Sequence, residues 1–235
     1  MKFEKIVRLF KDMIWFDFEM VHLISGEASA CVHTELYRWR ESGKLLELRR
    51  GLFALAEPWR HSPVDGACLA EALYPPSYLS GAWALRRYGV LPFNAESGTA
   101  AAAGAESDRP VFDSVTARPA KVFENSFGRY SYTTFPRDLL FGTRTEVIGG
   151  NRVRIALPEK ALLDYWFIGG GEWDEGRIES AGLDTAPLDV DRLRELAARA
   201  GRPRLARATG ALLRCAERKE TAQGTALEAR AEATL

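Results

Sequence analysis

The spacing of apolar residues changes along the chain, and that change limits the folds open to it. Phe3, Ile6, Val7, Phe10 and Ile14 recur at helical intervals, with Lys2, Glu4, Lys5, Arg8, Lys11 and Asp12 on the other face. This predicts a helix over about residues 2–14. From residue 111 the period shortens: 111–116, 121–124 and 129–135 are rich in β-branched and aromatic residues, and so are 143–148 and 152–156. The NSFG at 125–128 and the GGN at 149–151 are hairpin turns between such runs. Helical spacing then returns to the end of the chain. The expected class is α+β, with helices accompanying an antiparallel sheet of four or five strands.

The first sixty residues carry a more specific order. Asp17 can cap a second short helix, with Phe18, Val21 and Ile24 inward and Ser25-Gly26 ending it. Ser29 is placed to cap a third, in which Val32, Leu36 and Trp39 form one apolar stripe and Gly43 supplies a left-handed stop. Its other face is Ala30, His33, Thr34, Tyr37 and Arg38. Two short strands, 45–48 and 52–55, then reverse at Arg49-Arg50-Gly51. Helix, helix, turn, helix and basic hairpin is the order of a winged helix-turn-helix, whose second motif helix enters the major groove. On that reading His33, Thr34 and Tyr37 address base edges, while Arg38, Arg49 and Arg50 anchor phosphates or the minor groove. Winged helices also serve as protein-interaction modules, so a regulator or adaptor using the fold for protein contacts is the alternative.

The rest of the chain reads as a larger domain over 61–219. Ser62, Pro63 and Asp65 open a helix that stops at Pro75-Pro76, and a short helix follows, ended by Gly89. Residues 95–109 are small and repetitive and read as a loop or weak strand. Pro158 starts a helix of about ten residues that stops at Gly169-Gly170-Gly171. Asp189 or Asp191 caps another, with Leu193, Leu196 and Ala197 inward; Leu205, Ala208, Leu212 and Ala216 mark the last. From Glu220 onward a flexible tail, 220–235, is expected.

Charge and chemistry narrow the function. Lys+Arg and Asp+Glu both number 32, which argues against a protein whose whole surface is a nucleic-acid glove. The balance hides a bias, because residues 192–235 hold 10 basic and 5 acidic residues and 61–191 hold 12 and 18. His22, His33 and His61 all precede residue 62, which leaves no histidine triad or multi-histidine metal site for the larger domain. GxSxG, P-loop and strand-linked GxGxxG motifs are missing. Asp189-Val-Asp191 and Glu217-Arg-Lys219 resemble metal or nuclease elements, but the first sits at a helix start and the second in a basic helix. Cys31, Cys68 and Cys215 lack ligand or disulfide spacing. No catalytic residue, metal or cofactor is therefore expected. The opening MKFEKIVRLFKDM is not a signal peptide and no run approaches a membrane span, so a cytoplasmic protein without membrane contact is expected.

With these features in place, the chain resembles the AbiEi family of antitoxins from type IV toxin-antitoxin systems over most of residues 1–217. The resemblance rests on SGKLLELRRGLFALA, on PPSYLSGAWALRRYGVLP, and on FGRYSYTTFPRDLLFGTRTEVIGGNRVRIALPEKALLDYW. It implies a winged helix that represses its own operon at inverted repeats in double-stranded promoter DNA. The small basic footprint itself calls for a homodimer or paired sites. It also implies a following domain that opposes a cognate nucleotidyltransferase toxin, whether or not by direct contact. Carried over by position, Tyr78, Ser80 and Leu85 fall in the SYLS stretch and its helix. Pro158, Glu159, Lys160, Ala161, Leu162 and Asp164 fall in the PEKALLD helix. Physical reading gives most of these a structural role, including an i,i+4 pair of Lys160 with Asp164. The departure from the family pattern is the Ala-rich stretch 99–105, where more apolar bulk is expected.

Overall fold

The computed structural model describes residues 1–92 and 109–232, with 219, 220 and 222–232 as backbone alone. Helices and sheets are both present, compatible with an α+β chain. Among the described residues, 1–79, 109–135 and 145–154 make one compact unit, and 80–92, 136–144 and 155–232 make a second. The boundary expected between 60 and 61 thus falls inside the first unit. The weak strand or loop expected over 95–109, and the Ala-rich 99–105 within it, lie outside the described residues except for Arg109.

The first unit opens with α1 (Phe3–Phe10), β1 (Phe16–Asp17), α2 (Phe18–Ser25) and α3 (Ser29–Glu41), followed by β2 (Leu45–Arg49) and β3 (Leu52–Leu55). Helix α1 is shorter than its apolar spacing suggests, because the chain must turn to deliver Phe16 to a strand. Phe16 stacks on Phe10 at 4.4 Å between ring centroids, and β1 pairs antiparallel with β3 through Phe16↔Phe53 and Asp17↔Leu52. This two-residue strand is too short to leave a periodic signal. Asp17 then caps α2, its Oδ1 accepting from the Met20 N–H at 2.8 Å. Ser29 is the first helical residue of α3 and makes no cap, since Ala28 holds the N-cap position. Val32, Leu36 and Trp39 are buried as their spacing requires, together with Phe3, Ile6 and Phe10 from α1. Side chains of this size contribute about 1.5–3 kcal/mol each when fully buried. Gly51 takes φ +78° at the β2–β3 reversal, where a side chain would be strained.

Asp65, and not Ser62, caps the next helical segment, its carboxylate accepting from the Ala67 N–H at 2.9 Å. A 3-10 turn over Gly66–Leu69 leads into α4 (Ala70–Leu73). The Ser62 hydroxyl instead donates to the Asp12 carbonyl at 3.3 Å, which removes it from the capping position. Six strands follow: β4 (Ser77–Leu79), β5 (Val111–Thr116), β6 (Lys121–Asn125), β7 (Gly128–Thr134), β8 (Thr143–Ile148) and β9 (Asn151–Ala156). They lie in the order β6-β7-β5-β4-β9-β8.

The sheet corrects the antiparallel expectation, because β5 and β7 run parallel, from Val111↔Arg129 to Thr116↔Thr134. The hairpin at Asn125–Gly128 makes β6 and β7 antiparallel, and it is β7 that inserts beside β5. Burial explains the choice. Strand β7 carries the buried rings of Tyr130 and Tyr132, whereas β6 exposes Lys121, Val122 and Glu124 and suits an edge. Tyr130 and Tyr132 donate to the carbonyls of Gly66 and Ala70, which ties the sheet to the segment before α4.

The second unit holds α5 (Gly81–Arg87), α6 (Pro158–Gly169), α7 (Glu175–Ser180), α8 (Val190–Ala200) and α9 (Pro203–Glu232). Pro158 begins α6, and Asp189 caps α8 by accepting from the Arg192 N–H at 3.0 Å. Helix α7 was not foreseen from the sequence; Asp174 caps it through the Arg177 N–H at 2.9 Å. The backbone of α9 stays helical to Glu232, past the point where a tail was expected, in keeping with the helix-forming Ala, Glu and Gln of that stretch. Among the described residues no helix is long and apolar enough to cross a membrane.

Candidate functional site

Burial of Val32, Leu36 and Trp39 fixes the rotation of α3 and leaves His33, Thr34, Tyr37 and Arg38 exposed. Helical spacing then aligns His33, Tyr37 and Arg40 along one line of the exposed face. The His33 imidazole stacks on Phe18 of α2, centroids 4.1 Å apart and planes 16° from parallel. Tyr37 is 58% exposed, with the Arg40 guanidinium 4.9 Å from its ring centroid. Beside this line opens a cleft of about 860 Å³, lined among others by Phe18, His33, Tyr37, Arg40, Glu47 and Arg50.

The cleft brings together three of the six residues assigned to nucleic-acid contact: His33, Tyr37 and Arg50. Thr34 and Arg38 lie on the exposed face but do not line it. The Thr34 hydroxyl donates to the Ala30 carbonyl at 2.9 Å, and Arg38 pairs with Glu35 at 3.2 Å. Arg49 is separated from Arg50. It is half-buried and lines a different cleft of about 450 Å³ with Asp17, Cys68, Glu71 and Arg152. Burial pushes the Tyr132 phenol above its ordinary value, the neighbouring Tyr130 adds to this, and Arg49 opposes it, so the Arg49 charge is felt on the sheet side. The register slip between Glu47 and Arg49 lies where the two arginines part.

Arg40 joins the site although it is not among the six expected contact residues; its position seven after His33 places it on the same face. It pairs with Glu47 at 2.7 Å and Glu41 at 2.9 Å, and hydrogen bonds to those carboxylates raise its pKa further. Glu19 and Glu47 line the cleft with it, so the basic character of this surface is local and partly neutralised.

The α6 motif residues behave differently. Glu159, Lys160 and Asp164 are buried at 1%, 2% and 1% exposure, and Ser80 at 0%. Lys160 Nζ and Asp164 Oδ1 form the anticipated i,i+4 ion pair, and the Ser80 hydroxyl donates to Asp164 Oδ2 at 2.7 Å. Burial pulls the Lys160 ammonium below its ordinary value against the opposing attraction of Asp164. The lysine stem runs past Gly142, where an added Cβ would stand 3.1 Å from Lys160 Cγ. Glu159 Oε1 accepts from the backbone N–H of Asp189 at 2.9 Å, joining the start of α6 to the residue that caps α8. Tyr78 is buried in β4, in the first unit, with the Arg154 guanidinium 5.7 Å from its ring centroid. None of these side chains offers a surface to a partner in this conformation.

The described arginine side chains in and just before α9 are also engaged within their own unit. Arg207 pairs with Glu172, Arg214 with Glu175 at 2.6 Å, Arg218 with Glu175 and Glu179, and Arg202 with Asp138 at 2.7 Å. Hydrogen bonds from Arg207 and Arg214 hold the Glu172 and Glu175 carboxyls below their usual range. The basic stretch therefore faces carboxylates already supplied by the chain. No protein-family model and no curated protein matches this sequence.

Proposed function

We propose that residues 1–60 form a winged helix-turn-helix that binds double-stranded promoter DNA, and that the cytoplasmic protein is the autorepressor and antitoxin of a type IV toxin-antitoxin system. The observation that carries the DNA half is the cleft in which His33 and Tyr37 of α3 meet Arg50 of the hairpin tip. Side chains of these kinds reach base edges and phosphates from a helix and a hairpin flanking one groove. The antitoxin half rests on the resemblance in the SYLS and PEKALLD stretches, of which Ser80, Lys160 and Asp164 are joined inside the second unit.

The test is binding of the full chain to DNA from its own upstream region, followed by fluorescence anisotropy across a salt series. Arg50→Ala should weaken binding to every sequence and flatten the salt dependence by about 0.9 in log–log slope, as expected for one lost phosphate contact. Tyr37→Ala should reduce discrimination between the operator and unrelated DNA. Equal affinity and slope for wild type and both variants would remove this surface from DNA binding. For the antitoxin half, co-expression with an adjoining nucleotidyltransferase gene should restore growth. The absence of such a neighbour, or of rescue, would dismiss it.

A second reading, a regulator or adaptor that uses the same surface for protein contacts, is favoured by one feature. Arg38 and Arg40 are paired with Glu35, Glu41 and Glu47, which lowers the attraction of this face for a polyanion. It predicts binding that is insensitive to competing DNA.

A further inference from the structure

A sheet edge presents unpaired backbone donors and acceptors, which proteins usually cover, bend or charge. The six-stranded sheet ends at β6 and at β8. The β6 end is held to the β2–β3 hairpin, the Asn125 side chain donating to the Leu48 carbonyl at 3.3 Å, and it starts with the charged Lys121. Strand β8 has β9 as its one neighbour in the sheet among the described residues. It carries no proline or glycine. Along TRTEVI the side chains alternate, with Thr143, Thr145 and Val147 on one face and Arg144, Glu146 and Ile148 on the other. Arg144 and Thr145 are exposed, and Val147 is 69% exposed.

We propose that a second copy of this chain pairs its β8 antiparallel against β8, with Thr145 opposite Thr145. A two-fold symmetric antiparallel pair sets one residue opposite itself, and the charges of β8 favour Thr145, near the middle of the strand. Centring the pair on Arg144 faces two arginines, and centring it on Glu146 faces two glutamates; both are unfavourable. Centring it on Thr145 places each Arg144 opposite the other copy's Glu146, twice over. It also places Thr143 opposite Val147, two β-branched residues that pair well across strands. One register thus sets opposite charges across the seam at two places and covers the exposed Val147. Such a dimer would present two α3 helices related by a two-fold axis, the arrangement a palindromic site requires. That last consequence rests on the proposed DNA reading, whereas the seam does not.

Sedimentation equilibrium of the full chain tests the seam without DNA, so its failure leaves the repressor reading untouched. The wild-type chain should dimerise. Arg144→Glu and Glu146→Arg should each weaken the dimer about tenfold or more, since each sets like charges opposite one another at two places. The double variant Arg144→Glu/Glu146→Arg restores opposite charges and should restore the dimer. In a Cys31→Ser background, Thr145→Cys should form a covalent dimer on mild oxidation, while Val147→Cys, facing Thr143, should not. A wild-type chain that stays monomeric overturns the proposal. So does a dimer indifferent to the single reversals, a double variant as monomeric as the singles, or cross-linking at 147 in preference to 145. Circular dichroism of each variant separates loss of pairing from loss of fold.

Discussion

Helices α3 and α6 are built from the same kinds of residue and use them in opposite ways. In α3 the apolar stripe of Val32, Leu36 and Trp39 is buried, and His33, Thr34, Tyr37 and Arg38 stand exposed. In α6 the polar residues themselves are buried: Lys160 pairs with Asp164, Asp164 accepts from Ser80, and Glu159 accepts from the Asp189 backbone. A charged residue on a helix is therefore not evidence of a surface. What separates the two is whether the polar groups find partners inside the protein, because an isolated buried charge is too costly to keep. The same contrast applies to α9, where Arg207, Arg214 and Arg218 are exposed yet committed to Glu172, Glu175 and Glu179.

Substitutions can break or sharpen this contrast, beginning with the largest effect. Asp164→Ala strips the partner from a buried lysine and should destabilise the protein by about 3–5 kcal/mol in chemical denaturation. A loss below about 1 kcal/mol would mean that Lys160 reaches water and that α6 resembles α3 after all. Leu36→Ala should cost about 2–5 kcal/mol, since it leaves a cavity under α3. Ser80→Ala should be milder, about 1–3 kcal/mol, because Asp164 keeps its cationic partner and loses one hydrogen bond from an uncharged hydroxyl.

The ion pair should also leave a signature in pH. Burial places the folded-state pKa of Lys160 below 10.5, so the charged form carries a penalty that is present in full below that folded value. The penalty is relieved as pH rises toward 10.5, which means that this group makes stability increase with pH in that window. The difference in stability between wild type and Lys160→Met should show that rise, and a flat difference would contradict the burial. The smallest stability effect belongs to Tyr37→Ala, within about 0.5 kcal/mol, as for other surface positions free of buried partners. A larger loss would place Tyr37 in the core and end the comparison at its α3 side.

Several elements were legible because their signals are local. Asp17, Asp174 and Asp189 each cap a helix through the N–H three residues on, and Pro158 starts α6 where its missing N–H does no harm. Of these, Asp174 alone carries no readable signal, because α7 is only six residues long. The strand β4 was hidden for the same reason: three residues carry no period, and Ser77–Leu79 follows a proline pair that reads as a plain stop. At the candidate site, the exposed face of α3 could be read from its buried face. The parting of Arg49 and Arg50 could not, since it depends on an irregular register between β2 and β3.

The chain by itself determined where α2, α3, α6, α8 and the hairpins form, which face of α3 is apolar, and that Lys160 and Asp164 stand one helical turn apart. Those features follow from interactions within a few residues. Tertiary structure alone decided that β7 inserts parallel to β5, that β8 is left at an edge, and that the α6 charges lie inside while the α9 charges meet carboxylates on α7 and in the segment before it. Each of these outcomes depends on which distant segments exclude water from one another, and that is set only when residues far apart in sequence come together.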